Sequence, residues 1–408
     1  MIDASSSRRD LLILGGGLVG MTLALAAARK GITSHVVDRA EPAELTAEGF
    51  DGRASAISTA SWNLFENIGL ARSLDEFGCP IASIAVTDQM KPGRIDFRPE
   101  PHEGSLGRMF ENRRLRLALF EAAEKEEAIA WHSRAVVIKR ERNEHGVAVE
   151  LADGQRLTAS LMVAAEGRAS PTREDAAIPL ASWQYRHRAI IAGLEHEKPH
   201  EHVAWEIFYP AGPFALLPLN DKPDGTHRSA LVWTVAERDA AAVLKLSDRA
   251  FLAEVEKRME GLFGAVSHAG PRSSWPLGFH HTAQLTAQRL ALVGDAGHGI
   301  HPIAGQGLNL GLRDVATLVE VLDEGLRLGL EPGDAQLLQR YEDWRQLDVF
   351  SVAFATDSLT RLFGVGGRAA SAVRRIGMAG VQRAPMLKTW FMNEARGVSG
   401  KLPKLLQD

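Results

Sequence analysis

Residues 290–311, Leu290-Ala-Leu-Val-Gly-Asp-Ala-Gly-His-Gly-Ile-His-Pro-Ile-Ala-Gly-Gln-Gly-Leu-Asn-Leu-Gly311, read as strand, loop and helix. Leu290 to Val293 is a short apolar run of the kind buried in a sheet. Gly294 ends it, and Asp295 sets a carboxylate at the strand's carboxyl end, where ligands of α/β folds sit. From Gly305 the pattern Gly-Gln-Gly-Leu-Asn-Leu-Gly leads into Val315, Leu318, Val319 and Leu322 at helical spacing, so a helix starts inside a glycine-rich loop. Backbone without side chains lets a flat ligand approach closely, and the free amides of a helix start favour an anion.

The amino-terminal stretch has a related form. Leu11 to Leu14 is followed by Gly15-Gly-Gly-Leu-Val-Gly20, then by Val19, Leu23 and Ala27 on one helical face, and the next strand is His35 to Asp38. Gly15, Gly17 and Gly20 fill the G-x-G-x-x-G positions, and Asp38 stands where an acidic residue receives a ribose hydroxyl, with Arg39 beside it. This predicts an ADP-binding βαβ unit. The fingerprint alone does not separate NAD from FAD; the distant Asp295 motif favours FAD.

Bulk properties exclude several classes. A chain of 408 residues with 45% hydrophobic content is globular, and a net charge of -4 with a pI near 6.4 offers no general basic surface for nucleic acid. The single Cys79 allows no internal disulfide and no cysteine-rich metal site. His298 and His301 have ligand-like spacing, but no carboxylate or thiol completes a set, so no metal is expected. A hydrolase reading lacks its Gly-x-Ser-x-Gly elbow. Met1 to Asp10 is short and polar, which predicts no signal peptide, and Leu18 to Ala28 is too short to span a bilayer.

Further along, Ile81–Thr87 and Arg94–Arg98 read as strands of another sheet, Glu111 opens a helix, and three strands between Ala135 and Ala164 form a meander. Ala189 to Thr286 reads as strands without βαβ alternation, hence an antiparallel layer, in which Trp205, Phe208, Phe214 and Trp233 are core or pocket lining. From Ser351 onward the chain looks helical, with nine basic residues against three acidic ones, a local charge of +6. Arg361, Arg368, Arg374, Arg375, Arg383, Lys388, Arg396, Lys401 and Lys404 are interleaved there with Leu362, Phe363, Trp390 and Phe391. Such a segment suits an anionic membrane surface or packing on its own protein.

The run at 290–311 resembles the second flavin-binding motif of aromatic-ring hydroxylases, specifically their ubiquinone-biosynthesis branch, and the resemblance extends over essentially the whole chain. It implies the p-hydroxybenzoate hydroxylase fold: an α/β, Rossmann-like FAD-binding domain from residues 1–72, 101–175 and 287–350, an antiparallel β-sheet substrate domain from 73–100 and 176–286, and a helical C-terminal region over 351–408. By the same resemblance, Asp295 holds the ribityl chain of FAD, while Gly305, Gln306, Gly307, Leu308 and Asn309 face the pyrimidine end of its ring. Arg53, in a segment covering the flavin, and Asn112, at a helix start, contribute further contacts. Pro302 lies beside the reacting edge. Ala164-Ala-Glu-Gly-Arg-Ala-Ser-Pro-Thr-Arg173 resembles the motif serving the flavin pyrophosphate and the nicotinamide donor, with Glu166 where the family has Asp.

The implied reaction uses NAD(P)H, bound transiently, and O2, through a flavin C4a-hydroperoxide, to hydroxylate the ring of a polyprenylated phenol. The implied setting is cytoplasmic, peripheral on the inner membrane surface, within a quinone-biosynthesis complex. Two other readings compete: another FAD oxidoreductase such as a prenyl reductase, and a non-catalytic FAD-binding subunit motivated by Glu166.

Overall fold

The strand Arg9–Leu14 is the centre of the first of two large sheets in the computed structural model, which describes residues 8–50, 52–91, 93–100, 103–268, 270–299, 305–346, 348 and 385–408. It runs parallel to Ser34–Val37 on one side and Arg156–Ala164 on the other; Ile129–His132 and Leu290–Leu292 extend the parallel set outward. Alternation explains its apolarity on both faces. Leu11 and Ile13 enter a core with the helices Leu18–Ala28 and Gln306–Arg327, whereas Leu12 and Leu14 pack under the antiparallel meander Val137–Asn143, Gly146–Leu151 and Arg156–Ala164.

Glycine spacing fixes the turn out of that strand. Gly15 sits at φ +105°, and a Cβ added at Gly20 would lie 1.9 Å from the Gly15 carbonyl oxygen. Without side chains at these two positions, helix Leu18–Ala28 starts directly at the end of its strand.

The second sheet has nine strands, including Leu180–His196, His227–Ala236, Gly212–Leu219, Val203–Tyr209 and Ser273–Thr282. The expected antiparallel layer is mixed at one seam. Val203–Tyr209 pairs in parallel with Ser83–Asp88, because the two come from separated parts of the chain and no hairpin orients them. The stretch read as strands also contains two helices, Glu237–Leu244 and Asp248–Met259, the second started by Ser247, whose Oγ accepts from Ala250 N. Phe251, Val255 and Met259 recur every fourth residue and bury against Trp205, Phe214 and Trp233. Those three aromatics are therefore core beneath the helices; Phe208 lies on the opposite face.

A small sheet of Ala54–Ser58, Gly107–Glu111 and Cys79–Pro80 lies between the large ones. Ala54–Ser58, in the segment expected to cover the flavin, is thus a paired strand. Helix Pro385–Arg396 and the segment after it follow the expected helical character, but the described end of the chain packs on its own protein. Leu405 and Leu406 are buried, Asn63 and Asn67 donate to the carbonyls of Leu406 and Leu405, and Lys404 meets Glu324 at 2.8 Å. Arg361, Arg368, Arg374, Arg375 and Arg383 lie outside the described residues. No helix among the described residues is long and apolar enough to cross a membrane.

Gly20→Ala is expected to destabilise the protein by about 1–3 kcal/mol, since the added methyl would meet backbone that cannot move without shifting the strand. Chemical denaturation monitored by tryptophan fluorescence measures it.

Candidate active site

The candidate residues gather at the carboxyl ends of the parallel strands. Gly15 donates its amide to Val37 O, and Asp38, half-buried, accepts from Gly16 N at 2.6 Å and Ala40 N at 2.7 Å. A carboxylate has further lone pairs, so these bonds aim Asp38 without saturating it. Arg39 is exposed beside it. Gly17 caps the first helix, and a Cβ placed there would meet nothing within 4 Å.

Asp295 stands exposed in the single turn Gly294–Ala296 that follows the last parallel strand. A buried carboxylate holds this turn. Asp314 Oδ2 accepts from Gly294 N at 2.8 Å and from His298 Nε2 at 2.7 Å, and its Oδ1 accepts from Arg345 Nε at 2.6 Å. Asp314 and Arg345 are fully buried, and Asp348 bridges Arg345 to Arg313. Burial alone would raise the Asp314 carboxyl, but the charges of His298 and Arg345, with the hydrogen bonds they donate, outweigh it and hold the group below the usual carboxylate range. His298, which had been weighed as a metal ligand, is thereby a hydrogen-bond partner of this carboxylate.

The long helix begins as its glycines dictate. Gly305 is its cap at φ +63°, and a Cβ at Gly307 would also meet nothing within 4 Å, so both helix starts present bare backbone to open space. Bare backbone amides at both helix starts can take phosphate or ring oxygens, and the unsaturated carboxylates of Asp38 and Asp295 can accept from hydroxyls, which is the chemistry a dinucleotide carrying a flat ring system requires. Leu308 is half-buried, and Gln306 Nε2 reaches Ala395 O at 3.4 Å. Asn309 departs from expectation. Its side-chain Oδ1 accepts from Ser58 N, and its Nδ2 donates to Ala56 O and Gly305 O, all at 3.0–3.2 Å. The amide acts as a strand partner for 56–58, which leaves only its backbone for a ligand.

Glu166 is likewise occupied. It accepts from Ser170 Oγ at 2.6 Å and Thr172 N at 3.2 Å, and Arg140 lies 3.4 Å away. The longer side chain closes its own loop. Buried Arg173, the last residue of the motif, donates to the carbonyls of Arg168 and Ala296 and ties this loop to the Asp295 turn. Asn112 Oδ1 accepts from Ser55 Oγ, and Asn112 N donates to the Arg53 carbonyl, so both sit at the edge of the small sheet. Pro302 and His301 lie outside the described residues. Asp314 and Arg345 were also missed; a charged residue inside an apolar helical stripe was the available signal.

Among the described residues, Cys79, His200 and His202 offer atoms within 4.8 Å of one another. Burial, and the nearby Asp221, push the Cys79 thiol up to about 12, while His200 already bonds Leu219 O and His202 N, so the group is arranged as packing.

A glycine cradle at one helix start, a second at another, and a carboxylate beside each define a two-motif FAD-binding protein. The FAD binding domain family matches residues 8–353, and the chain belongs to it. It is similar to ubiquinone hydroxylase UbiL of Rhodospirillum rubrum, 42% identical over 95% of this chain and 89% of that protein. It is also similar to 3-demethoxyubiquinol 3-hydroxylase of Escherichia coli K12, 31% identical over 95% of this chain and 98% of that protein. Among solved structures, p-nitrophenol 4-monooxygenase PnpA from Pseudomonas putida superposes with a TM-score of 0.78 at 16% identity, covering 97% of this chain and 99% of that one, and so shares the fold.

Asp314→Ala would leave Arg345 and His298 buried without their countercharge. A loss of about 3–5 kcal/mol is expected, read as a lowered thermal midpoint with reduced FAD content.

Proposed function

We propose that the chain is an FAD-dependent monooxygenase that uses NAD(P)H and O2 to hydroxylate the aromatic ring of a polyprenylated phenol in ubiquinone biosynthesis. The observation that carries this reading is similarity to ubiquinone hydroxylase UbiL along 95% of the chain, with bare helix starts and carboxylates at both ends of the cofactor cradle. Bound FAD would supply the redox chemistry, taking a hydride from the nicotinamide donor and activating oxygen.

The chain's own residues bind and orient. Gly15, Gly17, Gly20, Asp38 and Arg39 would receive the ADP half, and Asp295 the ribityl hydroxyls. The backbone of Gly305 to Asn309 would face the ring, where the helix start stabilises negative charge. Arg53 and Asn112 would border the flavin, and Pro302 its reacting edge. Glu166 would act by holding the donor loop in shape through Ser170 and Thr172.

The purified protein is expected to carry FAD and to release a hydroxylated prenylphenol, identified by mass spectrometry. Asp295→Ala should weaken FAD binding by about 1.5–3 kcal/mol, measured by flavin fluorescence on titration of apoprotein. Full FAD occupancy of that variant at micromolar protein counts against the assignment.

The same reading places the protein peripherally on the cytoplasmic membrane surface, in a quinone-biosynthesis complex. Arg396 is paired with Glu103 at 2.7 Å and Lys404 with Glu324, so these two already have partners on the protein itself. Of the seven other basic residues of this segment, we take the arginines at 361, 368, 374, 375 and 383 as the main candidates, each contributing on the order of 1 kcal/mol at an anionic surface. Sedimentation should show binding to anionic but not neutral vesicles, weakened by salt, and replacing those five by glutamine should abolish it while FAD is retained. Unchanged vesicle binding by that variant removes this part of the reading.

A further inference from the structure

Strand Val203–Tyr209 reads Val-Ala-Trp-Glu-Ile-Phe-Tyr, with one charge in an apolar run. Trp205 and Ile207 bury under helix Asp248–Met259, so alternation turns Glu206 to the opposite face with Ala204 and Phe208. Strand register extends that face. Glu206 is flanked by Val86 on one side and Ala215 on the other, and the row continues through Val232 and Ile191, all uncharged.

This face is the one turned toward the cofactor cradle. Ala204 and Ala230 pack in one cluster with Met109, Ala54 and Ala56 of the small sheet. Ala56 in turn lies against Gly305, where a Cβ would be 3.2 Å from its own, and its carbonyl accepts from Asn309. At the far end of the row Ile191 lies against Gly52, with 3.5 Å between its Cγ2 and a Cβ placed on that glycine.

Glu206 is half-buried on this face, enclosed by the apolar residues around it. Among the described residues its carboxylate makes no hydrogen bond and no ion pair. The ionisable groups that share or adjoin this side are Asp88 on the neighbouring strand, Arg53 beside Gly52, and Arg228, which Glu111 holds at 2.7 Å. Burial without a countercharge pushes the Glu206 carboxyl up to about 7. An unpaired carboxylate among apolar residues destabilises a fold, which makes it a candidate for chemistry.

We propose that Glu206 is the general base for the phenol whose ring is hydroxylated, an assignment that rests on the reaction proposed above. The phenolic O–H bond breaks, the proton passes to a Glu206 carboxylate oxygen, and the electron pair stays on the phenol oxygen. That raises electron density at the ring carbons next to it and opposite it, the carbons that accept oxygen. The apolar row beside Glu206 receives the ring and the start of its prenyl chain. A base that ionises close to neutrality is matched to this transfer.

The test uses FAD-loaded protein with 2-geranylphenol and a ring-fluorinated analogue whose hydroxyl is more acidic. Glu206→Gln is expected to keep its FAD and its melting temperature while hydroxylation falls about 100-fold or more. Glu206→Asp should recover part of the rate, and the fluorinated substrate should narrow the gap between wild type and the Gln variant. Wild-type hydroxylation should rise with pH through about 7 as the carboxylate ionises, a limb absent from the Gln variant. An equal loss on both phenols with the limb unmoved, or no loss at all, overturns the assignment while leaving the reaction intact. If wild type holds FAD but hydroxylates neither phenol, the proposed reaction fails and Glu206 loses its role with it.

Discussion

One buried carboxylate organises the cofactor end of this protein. Asp314 takes the amide of Gly294, the ring of His298 and the guanidinium of Arg345, joining its own helix to the loop after the last parallel strand and to the helical segment holding Arg345. Packing alone would not fix these directions, because apolar contact is insensitive to rotation and a hydrogen bond is not. Gly294 N sets the angle at which the chain leaves its strand, and with it the direction in which the exposed Asp295 points. A network of this kind holds its geometry only while every member is satisfied, and its position inside the core, away from water, keeps it so.

A second constraint joins the two large sheets. The small sheet of Ala54–Ser58, Gly107–Glu111 and Cys79–Pro80 packs Ala56 and Met109 against the substrate-side sheet, while Asn309 grips the same strand from the long helix. Backbone at the helix start and the row containing Glu206 are thereby referenced to one short strand. Errors in placing one element against another are small when both are measured from a common neighbour.

Glycine spacing and apolar periodicity were enough to read the strand–turn–helix at Gly15 to Gly20, the helix beginning at Gly305 and a separate sheet in the middle of the chain. These features depend on local sterics and burial. What escaped was set by partners distant in sequence. Asn309 sits in a glycine-rich loop and reads as a ligand contact, yet its amide serves a strand some 250 residues earlier. Asp314 and Arg345 each interrupt an apolar helical stripe, but nothing local says that the two meet until the helices pack. The parallel seam beside Val203–Tyr209 has no local signature, since either direction buries the same alternation. The pair of helices at 237–259 had one, the repeat of Phe251, Val255 and Met259, masked by the strands on either side.

The double use of Asn309 also has a chemical side. Its nitrogen faces two carbonyl oxygens while its oxygen faces an amide, so the two ends of the group are not interchangeable. Hydrolysis of that amide to a carboxylate, the common ageing reaction of asparagine, would turn the donor into an acceptor and set a negative charge against both carbonyls in a site only 6% exposed. Helical backbone at this position holds the following peptide nitrogen away from the side-chain carbonyl that it would have to attack. The same helix whose first turn opens at Gly305 therefore shields the residue whose decay would detach it from the strand below.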